Sequence, residues 1–149
     1  MTLRKHRTPI TFLMIASIAT PLGLSAWQAL LNNFAIERAG FTGVEIGILQ
    51  SLREVPGFLA FTAVFLLLVL REQNFAVIAV AIFGLGTALT GFFPFEYGLY
   101  FTAVLMSIGF HYMETIKQSL SLQWLSIEEA PRVLGRLIAI GSMTSLVCF

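Results

Sequence analysis

Five apolar stretches, each long enough to cross a hydrocarbon core of about 30 Å as a helix, limit what this chain can fold into more than any other feature. They run over residues 10–32, 43–70, 75–93, 97–124 and 131–149, with short polar breaks between them. Inside lipid a backbone must satisfy its own N–H and C=O groups, so spans of this length predict an all-α, polytopic transmembrane helical bundle. A transmembrane barrel would instead show alternating segments of about ten residues, which are absent. Side-chain content agrees: 57% of residues are hydrophobic and 11% charged, where a soluble domain carries about a quarter charged. Mean hydropathy is +0.85.

The same composition closes off other classes of function. A formal net charge of +1 and the lack of a Lys/Arg block give no footprint for nucleic acid. Cys148 stands alone, so neither a disulfide framework nor a cysteine metal cluster can be built. No cofactor and no enzymatic chemistry are expected.

Orientation follows from the basic residues. Arg4, Lys5, His6 and Arg7 precede the first span, and Arg71, Arg132 and Arg136 fall on the same side of the alternating spans, with Arg38 on the other. This bias predicts a cytoplasmic N-terminus in a multi-pass protein of the inner or plasma membrane. A signal peptide would share the basic start, but the apolar run from Ile10 to about Leu31 is longer than a signal core and no small-x-small cleavage site follows. The last apolar run, from Arg136 to Phe149, ends with no polar cap or basic anchor. It reads as part of a longer protein whose C-terminal half is the missing partner; the alternative is a complete five-span protein with a structural or assembly role.

Against this background the polar residues inside the spans become candidates for function. In the fourth span Ser107, His111, Glu114, Thr115, Gln118 and Ser121 fall within an arc of about 120° at helical spacing, with Lys117 just off its edge. Charges near a bilayer centre cost about 2.5–3.5 kcal/mol each on the lenient insertion scale, so the stripe must face protein or a wet cavity. In the first span Ser17, Pro21, Ser25, Gln28 and Asn32 share one face, with Pro21 expected to kink the helix. Interhelical hydrogen bonding accounts for the serines; for Gln28 and Asn32 that role and a place on a solute pathway stand level. Arg53 and Glu54 lie roughly 15 Å into the second span, near mid-depth, and Pro56-Gly57 follows. That pair either kinks the helix for packing, held by an ion pair of Arg53 with a glutamate, or lines a substrate path. The third span has no charge and can stand against lipid, while Tyr97 and Tyr100 suit the outer interface and Trp124 the inner one.

The arrangement over the whole chain resembles the N-terminal half of a major facilitator superfamily transporter. The likeness rests on the basic N-terminus, the polar-striped first span, and Asn32-Asn33-Phe-Ala-Ile-Glu-Arg-Ala-Gly-Phe-Thr-Gly-Val-Glu-Ile-Gly47 leading into the second. Two family features differ. The turn between spans two and three reads Val-Leu-Arg71-Glu72-Gln73-Asn74-Phe instead of an Asp and Gly-Arg-rich run, and Gly109-Phe-His111-Tyr-Met-Glu114 replaces the usual intramembrane Arg of the fourth span. The resemblance implies a secondary active transporter of a small solute in which the first and fourth spans line a cavity and the second and fourth are neighbours. Arg53 and Glu114 would then neutralise each other, while His111, with an unperturbed pKa near neutrality, binds and releases a proton. A fixed structural network of the same residues is the competing role. His111 and Glu114 at i,i+3 could also supply two metal ligands, but the only other histidine is His6, so no metal site is expected.

Overall fold

The computed structural model describes the backbone of residues 3–148 and the side chains of residues 10–148; the side chains of Arg4, Lys5, His6 and Arg7 lie outside what is described. Among the described residues the chain is all-helical, without a strand. Its elements are α1 (Leu3–Ala39), α2 (Gly43–Phe58), a 3-10 turn (Leu59–Thr62), α3 (Ala63–Leu67), α4 (Glu72–Thr90), α5 (Glu96–Trp124) and α6 (Ala130–Val147).

Among the described residues two helices are long and apolar enough to cross a membrane: α1 from Ile10 to Ala39 and α4, each with a mean hydropathy of 1.6. The other three expected spans depart from that standard for separate reasons. The second is divided, its α-helix stopping after 16 residues at Phe58. The fourth, α5, has 29 residues but includes Glu96, Glu114 and Lys117. The fifth, α6, has 18 residues with Arg132 and Arg136 in its first two turns.

Helix ends follow local chemistry. The first loop, expected to open at Asn33, is only three residues long because no breaker occurs before Gly40 and because Ala35 is fully buried. Gly40 then takes a φ of 69°, the left-handed conformation that ends helices and that a Cβ disfavours. Thr42 starts α2 with a reciprocal cap: its hydroxyl accepts from the Val44 N–H at 3.3 Å, and its own N–H donates to Glu45 Oε2 at 2.8 Å. The expected turn at residues 71–74 is shorter, since α4 already begins at Glu72, an acid well placed against the positive end of the helix dipole.

The chain falls into two compact units, Met1–Ala26 with Lys117–Phe149, and Trp27–Ile116. In the first, α1 remains one helix through Pro21, and the ring leaves the Ser17 carbonyl without its i+4 donor. Gly141 of α6 comes to that spot: a Cβ there would lie 3.3 Å from the Ser17 carbonyl oxygen and 3.4 Å from Pro21 Cγ. Phe12 and Trp124 meet edge to face at 6.0 Å in the same unit.

The second unit is organised on α5. Phe75 meets Tyr112 at 5.5 Å and Phe83 meets Phe110 at 6.2 Å, and Gly86 abuts Met106, so α4 and α5 run antiparallel. Glycines set the closeness of this pair. A Cβ on Gly86 would sit 2.6 Å from Met106 Cα, and one on Gly109 would sit 2.6 Å from Phe83 Cα. Small residues that let backbones approach are how helices pack where burial from water supplies no drive. Trp27 of α1 is pinned to the same unit by its indole N–H, which donates to Thr90 Oγ1 at 3.0 Å. The core is apolar, with Leu49, Leu99, Met106, Met113 and Ile116 fully buried; the buried polar side chains among the described residues are serines and threonines, while Phe58 (82% exposed), Leu68 (80%) and Val69 (85%) face outward.

Candidate functional site

The candidate site is built where α2 meets α5 inside the second unit. The two helices run in the same direction, since successive contacts climb both together: the Tyr100 hydroxyl at the Glu45 carbonyl (3.5 Å), the Ser107 hydroxyl on the Arg53 carbonyl, the His111 ring on Gly57, and Tyr112 at Thr62.

Pro56-Gly57 is the centre of the contact. Pro56 is buried, and its missing N–H removes the donor for the Leu52 carbonyl. One residue on, the His111 imidazole lies flat against Gly57, where a Cβ would be 2.7 Å from Cε1, 2.9 Å from Nε2 and 3.1 Å from Nδ1. No side chain other than hydrogen fits at residue 57 while the ring holds this place. Ser107, one turn before His111 on the same face, donates to the Arg53 carbonyl one turn before Gly57. The α-helix then ends at Phe58 and gives way to the 3-10 turn.

The charged groups gather around the ring. Arg53 and Glu54 of α2 and Glu114 of α5 all lie within electrostatic reach of His111. Arg53, however, closes on its own neighbour: Nε and Nη2 both donate to Glu54 Oε1, at 3.1 and 2.7 Å. The expected ion pair of Arg53 with Glu114 is therefore corrected. Adjacent helical residues diverge by about 100°, but a long guanidinium arm can fold back along the helix surface to reach the next carboxylate. The pair is lopsided, with the Arg53 side chain 20% and the Glu54 side chain 62% exposed, while His111 and Glu114 are half-buried.

The remaining candidates lie elsewhere. Gln28 is half-buried and Asn32 exposed on the part of α1 that belongs to this unit, and no hydrogen bond among the described residues joins either to the four. Gln118 is exposed and belongs to the other unit. Pro21 is likewise in that other unit, at the Gly141 contact. No group of three or more His, Cys, Asp or Glu residues able to hold a metal occurs among the described residues.

Two participants were missed from the sequence. Thr62 donates to the Leu59 carbonyl at 2.7 Å, which uses its single hydroxyl proton, so the Tyr112 hydroxyl 2.5 Å away is the donor to Thr62 Oγ1. Tyr112 sits beside the polar stripe instead of within it, which is why spacing did not select it. The available signal was the Pro-Gly break itself, because a disrupted helix needs side-chain partners on its far side.

No family model, curated protein or solved structure matches this chain.

Proposed function

We propose that the chain is the N-terminal part of a membrane transporter of the major facilitator type that moves a small solute, with the complementary half of such a transporter as its partner and lipid around it. In this reading α1, the α2–α3 segment, α4, α5 and α6 are the five spans, with the N-terminus on the cytoplasmic side. Arg53, Glu54, His111 and Glu114 form the polar part of the solute pathway, and His111 is assigned the coupling proton as the imidazole among them. The observation that carries the reading is the convergence of one cation, two carboxylates and one imidazole on a single helix seam, in a unit that also exposes Phe58, Leu68 and Val69.

Reconstitution of the protein carrying both halves into liposomes with a pH-sensitive dye trapped inside tests it, using a panel of amine, sugar and carboxylate solutes. Solute-driven proton movement is expected in the parent and its loss in His111→Gln and in Glu114→Gln. Normal folding and unchanged proton-linked flux in His111→Gln would dispose of the coupling role. Topology is tested separately in a Cys148→Ser background, where a cysteine at Arg71 should react with an impermeant maleimide from the cytoplasmic side only.

A second reading, a membrane protein with a structural or assembly role and no transport, is favoured by one observation. The closed fit of His111 on Gly57 is the packing expected of a fixed helix contact.

A further inference from the structure

We propose that α2 and the segment after it are a jointed helix that pivots at Pro56-Gly57, with the Tyr112–Thr62 hydrogen bond as the latch that holds the joint in the conformation seen. The joint is visible in the backbone. Pro56 takes away one helical donor, Gly57 has no side chain to brace the turn, and Leu59 leaves helical geometry at φ −85°, ψ 1°. Beyond it come four residues of 3-10 helix and only five of α3.

The grips that α5 applies are unevenly placed along this helix. Ser107 holds the arm before the joint by the Arg53 carbonyl, and His111 sits on the joint itself. The arm after it, Leu59–Leu67, buries only Ala63 completely, whereas Phe61, Val64 and Phe65 are exposed. Tyr112 to Thr62 is the hydrogen bond that ties this second arm to α5. Because Thr62 also donates to the Leu59 carbonyl within the 3-10 turn, the same hydroxyl fastens the turn and the neighbouring helix at once. An arm with so little buried surface can be released by the loss of one such bond. Segments that move are drawn from this low-stability end of a fold.

The inference goes beyond the transport reading and does not require a solute. It is tested on the full chain in detergent micelles, in a Cys148→Ser background with spin labels on cysteines at Val44 and Leu68, both exposed. These positions lie about 36 Å apart along a continuous helix. Electron–electron distance measurement should give one narrow distribution in the parent. Tyr112→Phe, which removes the donor, and Thr62→Val, which removes the acceptor, should each broaden it or add a second distance. The double variant should match the singles, because all three lack the same bond, and Thr62→Ser, which keeps the hydroxyl, should match the parent. If Tyr112→Phe fails to fold, Thr62→Val carries the test from the other side of the bond. An unchanged single distance in the folded variants overturns the proposal, whatever the outcome of the flux assay.

Discussion

Replacing Gly57 by alanine measures the His111 contact directly. The new methyl would stand 2.7, 2.9 and 3.1 Å from three consecutive ring atoms, so the imidazole must move for it to fit. Overpacking of this kind costs about 1–3 kcal/mol. Alanine returns roughly 0.5–1 kcal/mol over glycine in a helix, and residue 57 has no positive φ to oppose it. The net expectation is a loss of about 0–2.5 kcal/mol from these two effects. In a His111→Ala background the obstacle is gone, and the same substitution should become neutral or stabilising. The assay is SDS-titration unfolding in micelles, followed by the fluorescence of Trp27 and Trp124. A double-mutant cycle should show a coupling of about 1–3 kcal/mol. Equal effects of Gly57→Ala in both backgrounds would refute the packing argument.

Other substitutions can be ranked by what the added atoms meet. Gly86→Ala and Gly109→Ala should each destabilise by about 2 kcal/mol or more, since the obstacle is neighbouring backbone that cannot swing aside. Gly84→Ala, with nothing within 4 Å, should be neutral or stabilising by up to about 1 kcal/mol in the same titration. Gly40→Ala should cost about 1–2 kcal/mol through its left-handed φ of 69°, and Gly40→Asn less. Trp27→Phe should lose about 1 kcal/mol with the indole bond to Thr90, and Thr90→Val a similar amount.

Much of the helical layout could be read from the residues because its signals are local. Gly40 and Thr42 end one helix and start the next by chemistry that needs no tertiary partner. Pro56-Gly57 marked a break, and α2 does give way to 3-10 geometry two residues later. Where the answer depended on a choice among partners, spacing was insufficient. Glu54 and Glu114 both offered Arg53 a carboxylate in the sequence, and the flexible arm took the adjacent one. Asn32 shares a helical face with Ser17 and Ser25, which are buried, yet it is exposed itself. Periodicity reports a face, but how far along a helix its neighbours extend is set by the packing. Tyr112 was overlooked for the opposite reason: its ring packs on Phe75 like any core aromatic, and only its hydroxyl serves the α2 break.

The glycine-to-backbone contacts between α4 and α5 also bear on how the chain is made. Both halves of that contact, and the turn joining them, are encoded between Glu72 and Trp124. The hairpin therefore holds all the atoms it needs to zip shut before α6 leaves the ribosome. A lesion at Gly86 or Gly109 would accordingly also lower the yield of synthesis, with nascent chains whose hairpin fails to close being degraded, so that less protein is recovered for the titration.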